Sequence, residues 1–187
     1  ADGTAFVFMG HGTSHTAKVS YSQMQTTMET LGYDNVFIGT VEGEPEDTAC
    51  EAVIEKVKEA GYTKVVLRPL MVVAGDHANN DMAGADEDSW LSQFNAAGCF
   101  DSVDTQIAGL GEIADIQQIY VNHTKAAMDV LSQNRVQVLA IQQNSSRKGN
   151  TARFPPCGLK HRSGSCKAQS ALQKCSRIHK VFSALFA

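Results

Sequence analysis

The chain has 187 residues, 43% of them hydrophobic, and a formal net charge of −4. That length supports one ordinary domain with a full-sized core. No stretch approaches the ~20 apolar residues that span a bilayer, no signal peptide is recognisable, and an odd total of five cysteines argues against a secreted disulfide scaffold. The expectation is a cytoplasmic protein without a membrane partner, with the periplasm as the alternative. The chain begins almost at once on a core strand, which points to a processed or truncated product.

The first apolar run, residues 4–9, reads as a buried strand and leads straight into Gly10-His11-Gly12-Thr13. A helix is expected after Ser14, His15 and Thr16, with Val19, Met24, Met28 and Leu31 on its apolar face and Gly32 as its stop. Residues 35–41 form the second predicted strand, followed by Glu42. Pro45 is placed at the first position of a second helix, with Glu46 and Asp47 in its first turn. Ala49, Ala52, Val53, Val57 and Ala60 line that helix's inner face.

Residues 64–73 form the third strand and precede Gly75-Asp76-His77-Ala78-Asn79-Asn80-Asp81-Met82-Ala83-Gly84. A helix containing Asp86, Glu87, Asp88, Trp90, Leu91 and Phe94 follows. A fourth strand at 102–108 and a last helix over 112–131 complete the pattern. This alternation predicts an α/β fold, a parallel sheet with helices on both faces. Right-handed crossovers then bring the loops at 10–15, 42–45 and 74–78 to one carboxyl edge, where open α/β sheets bind ligands.

The average charge hides a partition. Residues 1–131 hold six basic against all 20 acidic residues, a formal −14, while 132–187 hold the other ten basic residues and no acid. We therefore divide the chain into an α/β domain, 1–131, and a basic extension, 132–187. Its lack of sustained periodicity predicts disorder or poor packing. So unlike a composition also fits a shifted reading frame or a join to unrelated sequence. Without a binding motif or aromatic interleaving, nucleic acid is not the expected partner. Cys157, Cys166 and Cys175 are evenly spaced near His161 and His179, but lack the short ligand spacing of a structural zinc site. Cys50 and Cys99 read as structural thiols.

His11, Glu42 and His77 are each expected directly after a strand. Neighbouring parallel strands lie about 4.8 Å apart, so the three side chains can converge on one divalent ion. Two imidazoles and a carboxylate suit cobalt, iron, nickel or zinc alike. Taken singly, each has a plainer role: His11 capping a helix, Glu42 solvated, His77 partnering an N-cap. His15 reads as a surface residue of the first helical turn, and His123 as a helix-face residue.

Phe8-Met9-Gly10-His11-Gly12-Thr13, Val41-Glu42-Gly43-Glu44-Pro45, His77-Ala78-Asn79-Asn80-Asp81-Met82-Ala83-Gly84 with Asp88-Ser89-Trp90, and Gly109-Leu110-Gly111-Glu112 resemble, in that order, the anaerobic sirohydrochlorin cobaltochelatases. These are type II chelatases, which insert a divalent metal into a tetrapyrrole without ATP. The resemblance covers 1–131 and implies His11, Glu42 and His77 as metal ligands, with His11 and His77 catalytic and His11 the proton acceptor. It implies Co²⁺ as the substrate metal, with Fe²⁺ and Ni²⁺ as alternatives, no organic cofactor, and sirohydrochlorin as partner. Gly12, Thr13 and Gly75 are candidate substrate contacts. Family members have two such domains and this chain corresponds to the second, so self-association is expected to supply the other wall of the cleft. The competing reading is a metal- or tetrapyrrole-binding module without catalysis.

Overall fold

The computed structural model describes residues 3–147. Four parallel strands, β1 (Thr4–Gly10), β2 (Val36–Thr40), β3 (Lys64–Pro69) and β4 (Ser102–Thr105), lie in the order β2-β1-β3-β4. Between them run α1 (Val19–Thr30), α2 (Cys50–Glu59) and α3 (Trp90–Ala96); α4 (Ala114–Arg147) follows β4. The predicted α/β class and parallel sheet are present.

Alternation along β1 builds the core on two faces. Ala5, Val7 and Met9 belong to a buried cluster with Phe37, Val53, Ile54, Val57, Leu67, Trp90 and Phe94, the side covered by α2 and α3. Phe8 is buried opposite, and a side chain at Gly10 would run into Tyr21 of α1. Because β2 and β3 flank β1, the two right-handed crossovers lie on opposite sides of the sheet. The strand order thus explains helices on both faces.

Several boundaries differ from the sequence reading. The third strand stops at Pro69, which has no N–H for the ladder, and Val72 and Val73 are 47% and 72% exposed. The apolar run to Val73 is therefore only partly buried strand. His77 lies beyond the loop 70–75 and does not follow a strand directly. The fourth strand likewise ends at Thr105 rather than Ala108. Pro45 precedes a short 3₁₀ turn, Glu46–Thr48, and α2 starts only at Cys50; its buried face is Cys50, Val53, Ile54 and Val57, while Ala60 is exposed. Asp86, Glu87 and Asp88 precede α3, whose N-cap is Ser89 accepting from the Ser92 N–H.

The described residues fall into two units that divide after Ala114. The first contains the sheet. The described part of the second is helix α4, expected to end near Leu131 but continuing to Arg147. The change of composition at 131 thus falls inside a helix, because the residues immediately beyond it offer neither Pro nor Gly to stop one. Cys157, Cys166, Cys175, His161, His179 and the rest of 148–187 lie outside the described residues. No described helix is long and apolar enough to cross a membrane.

Burial, with a smaller contribution from Glu51, pushes the Cys50 thiol up to about 12, whereas Cys99 is exposed. A thiol raised above its unfolded value stabilises the fold fully below that value and progressively less as pH climbs toward 12. Peptide-resolved alkylation at pH 8 should label Cys99 in the native protein and Cys50 only after denaturation. Equal labelling of the two would contradict this packing.

Candidate functional site

Backbone hydrogen bonds join the two segments just past the last β1–β2 pair, Gly10 with Thr40. The Val41 N–H donates to the Gly10 carbonyl and the Glu42 N–H to the His11 carbonyl, each at 2.9 Å. These two bonds carry His11 and Glu42 side by side onto the carboxyl rim. His11 Nε2 then stands 3.9 Å from Glu42 Oε1, with side chains 55% and 53% exposed. Nitrogen and oxygen donors sit about 2.0–2.2 Å from a bound zinc-like ion and so at most about 4.4 Å from each other. The pair is therefore already within the span of one cation.

Gly12 makes this approach practicable. Its φ of +97° is a conformation that side chains resist, and an added Cβ would come 2.9 Å from Glu42 Cβ and 3.1 Å from Thr40 Cβ. Its N–H donates to the Tyr21 hydroxyl at 2.9 Å, tying the turn to α1.

His77 reaches the same rim from the loop after β3. Its ring centroid lies 4.8 Å from that of His11, the planes inclined by 80°. In both rings Nδ1 is engaged: His11 with the Gly12 carbonyl at 3.0 Å, His77 with Asp81 Oδ2 at 2.5 Å. A carbonyl oxygen only accepts, so His11 carries its proton on Nδ1 and turns an unprotonated Nε2 toward Glu42 when neutral. Among the described residues, no three His, Cys, Asp or Glu side chains stand close enough to hold a metal ion as they are. His11 is thus the shared neighbour, 3.9 Å from Glu42 Oε1 on one side and with its ring centroid 4.8 Å from that of His77 on the other.

Beside it lies a cavity of about 320 Å³ whose walls include Glu42, Glu51, Asp81, Asp88 and Trp90. Its carboxylates favour cations. Beyond the His77 turn, a second concavity of about 520 Å³ is lined by Val72, Val73, Ala74, Asn79 and Ile107, a mainly apolar surface.

The remaining predicted contacts divide. Gly12 and Thr13 are on the rim beside His11. The Gly75 carbonyl is occupied by the Asn79 backbone and side-chain N–H groups, which gives it a part in shaping the turn. His15 Nδ1 accepts from the Ala17 N–H, so this ring caps the turn before α1. His123 is exposed on α4. The sequence reading passed over Asp81, although its spacing of four from His77 within a turn was a usable signal, and Tyr21, for which sequence spacing gave none.

The cobalt chelatase (CbiK) family model matches residues 2–129. The chain belongs to the CbiK cobalt chelatase family. It is 41% identical over 124 residues to a sirohydrochlorin cobaltochelatase of Salmonella typhimurium, covering 66% of this chain and 45% of that protein. It is 34% identical over 129 residues to the sirohydrochlorin cobaltochelatase CbiKC of Nitratidesulfovibrio vulgaris, covering 68% of this chain and 43% of the relative. The chain thus spans less than half the length of either relative. A solved CbiX protein from Marinobacter aquaeolei VT8 superposes with a TM-score of 0.49 at 16% identity, over 67% of this chain and 98% of that one.

Replacing Gly12 with Ala should cost about 1–3 kcal/mol from the disallowed backbone alone and push Glu42 away from His11. Thermal unfolding together with Co²⁺ titration would read both effects. A Gly12→Ala protein with unchanged melting temperature and unchanged affinity would contradict the tight approach described here.

Proposed function

We propose that this chain inserts cobalt into sirohydrochlorin, with His11, Glu42 and His77 as the ligands that deliver the metal. The observation that carries this reading is His11 Nε2 facing Glu42 Oε1 at 3.9 Å, with the His77 ring 4.8 Å from that of His11. Insertion breaks two pyrrole N–H bonds, releases two protons and transfers the cation from protein donors to four ring nitrogens. His11 accepts one of the two protons at Nε2 once that atom has released the metal, a role suited to an imidazole near neutral pH, and the other passes to solvent at the open rim. Glu42 lowers the charge of the bound cation and, as an exposed carboxylate, exchanges readily for a ring nitrogen. Fe²⁺ and Ni²⁺ satisfy the same donors, so preference for cobalt is a separate question from binding.

Gly12 and Thr13 lie where a ring carboxylate could meet the rim, and the apolar surface of Val72, Val73 and Ile107 offers a plane for the macrocycle. The chain's span of less than half of its relatives favours one rival, a module that binds metal or tetrapyrrole without turnover. We further propose that copies of the chain associate through α4, where Tyr120, Val121, Met128 and Leu131 are exposed.

Replacing either His11 or His77 with Ala should weaken Co²⁺ binding at least tenfold, as loss of one of three ligands requires, whereas His123→Ala should bind like the parent. Unchanged affinity in both rim variants would end the ligand assignment. Formation of cobalt-sirohydrochlorin by the parent chain, followed by its absorption spectrum, separates the enzyme from the module; binding with no product supports the module.

Sedimentation velocity over a range of concentrations should show mass-action dimerisation, reduced by Met128→Asp on the exposed surface of α4. A single monomeric species in both proteins would rule out this mode of association.

A further inference from the structure

We propose that Asp81 is the positioning residue for His77: its carboxylate holds the Nδ1 proton, so that Nε2 is the ring nitrogen offered to the metal. The inference rests on His77 being a ligand, and it assigns a task to a residue outside the His-Glu-His set.

The contact is short and directed, Asp81 Oδ2 to His77 Nδ1 at 2.5 Å. It is also built in. His77 enters a π-helical turn, Ala78–Met82, a rare wide turn found disproportionately at functional sites. Ala78 and Met82 are fully buried and fix the turn to the core on both sides of Asp81. Asn79 Nδ2 donates to the Gly75 carbonyl at 2.7 Å, and Asn80 Nδ2 to Asp76 Oδ1 at 2.6 Å, pinning the start of the turn. At its end the Gly84 N–H donates to the Asn80 carbonyl at 2.9 Å, and any Cβ at Gly84 would collide with that oxygen. The separation of the Asp81 and His77 backbones is thus fixed by the surrounding turn and does not depend on their own hydrogen bond.

An ionised carboxylate accepts and cannot donate, so this partner selects the Nδ1–H tautomer. The other nitrogen, Nε2, has no hydrogen-bond partner among the described residues. His11 reaches the same tautomer through the Gly12 carbonyl. Two rings 4.8 Å apart therefore present the same nitrogen by different means, one through the main chain and one through a replaceable side chain. Only the second can be tested by substitution. Partners of this kind typically change metal affinity 10–100-fold when removed, because the ring is then free to rotate and to change tautomer.

The test uses the full chain at pH 8. Long-range ¹H–¹⁵N correlations report the tautomer of each histidine. The parent should show Nδ1–H at both His11 and His77. Asp81→Ala should leave His11 unchanged, convert His77 to a mixture and weaken Co²⁺ binding about 10–100-fold. Asp81→Asn keeps an acceptor oxygen and should restore the His77 tautomer and much of the affinity. In the His77→Ala background, Asp81→Ala should have no further effect, since its action runs through the missing ring. A parent His77 protonated on Nε2 overturns the proposal, and so does an Asp81→Ala loss that persists undiminished without His77, which would make Asp81 an independent ligand. If His77→Ala binds Co²⁺ normally, the ligand reading fails instead. The tautomer comparison still decides whether Asp81 orients the ring.

Discussion

Two backbone hydrogen bonds hold the rim in place: Val41 N–H to the Gly10 carbonyl and Glu42 N–H to the His11 carbonyl. They tie the residues just past β2 to the end of β1 and the residue after it, where side chains carry the chemistry. Without them, His11 and Glu42 would belong to two independent loops, each losing conformational entropy separately on meeting a cation. With them, the sheet has already met part of that cost. The geometry of the third side chain, His77, is set differently, by a turn anchored through Ala78 and Met82.

The contrast between those two modes explains what could be read from the sequence. Alternating apolar runs separated by helical faces were enough for the α/β class, and His11 and Glu42 were legible because each stands within two residues of its strand end. His77 was found for a partly mistaken reason. The run from Val65 to Val73 is apolar apart from Arg68 and Pro69, but the strand ends at Pro69 and the last valines are exposed. His77 returns to the rim through the loop after β3 and is held there by the π-helical turn that it opens, and no simple hydrophobic period announces either. The same limit hid Asp81, whose importance lies in the direction of one hydrogen bond.

Helix α4 shows where composition and conformation part. The disappearance of acidic residues after Leu131 marks a change in sequence character, yet the helix runs on to Arg147. Helix formation needs compatible backbone residues and no breaker, and Ser, Gln, Arg, Val and Leu supply that regardless of net charge. Charge partition is a statement about surface and partners. It carries little information about where a helix ends.

Gly39 and Trp90 are more than fifty residues apart in sequence and form a single steric unit. A Cβ at position 39 would overlap the Trp90 ring and press on Val53 Cγ2 at 3.0 Å, so the indole occupies the space that a strand side chain would otherwise fill. Evolution cannot treat the two positions as separate choices. Any residue larger than glycine in the middle of β2 requires a smaller one at the start of α3, and a smaller residue at 90 leaves a void that glycine cannot fill. The two positions are therefore one packing decision, in which a change at either is accommodated only by a compensating change at the other.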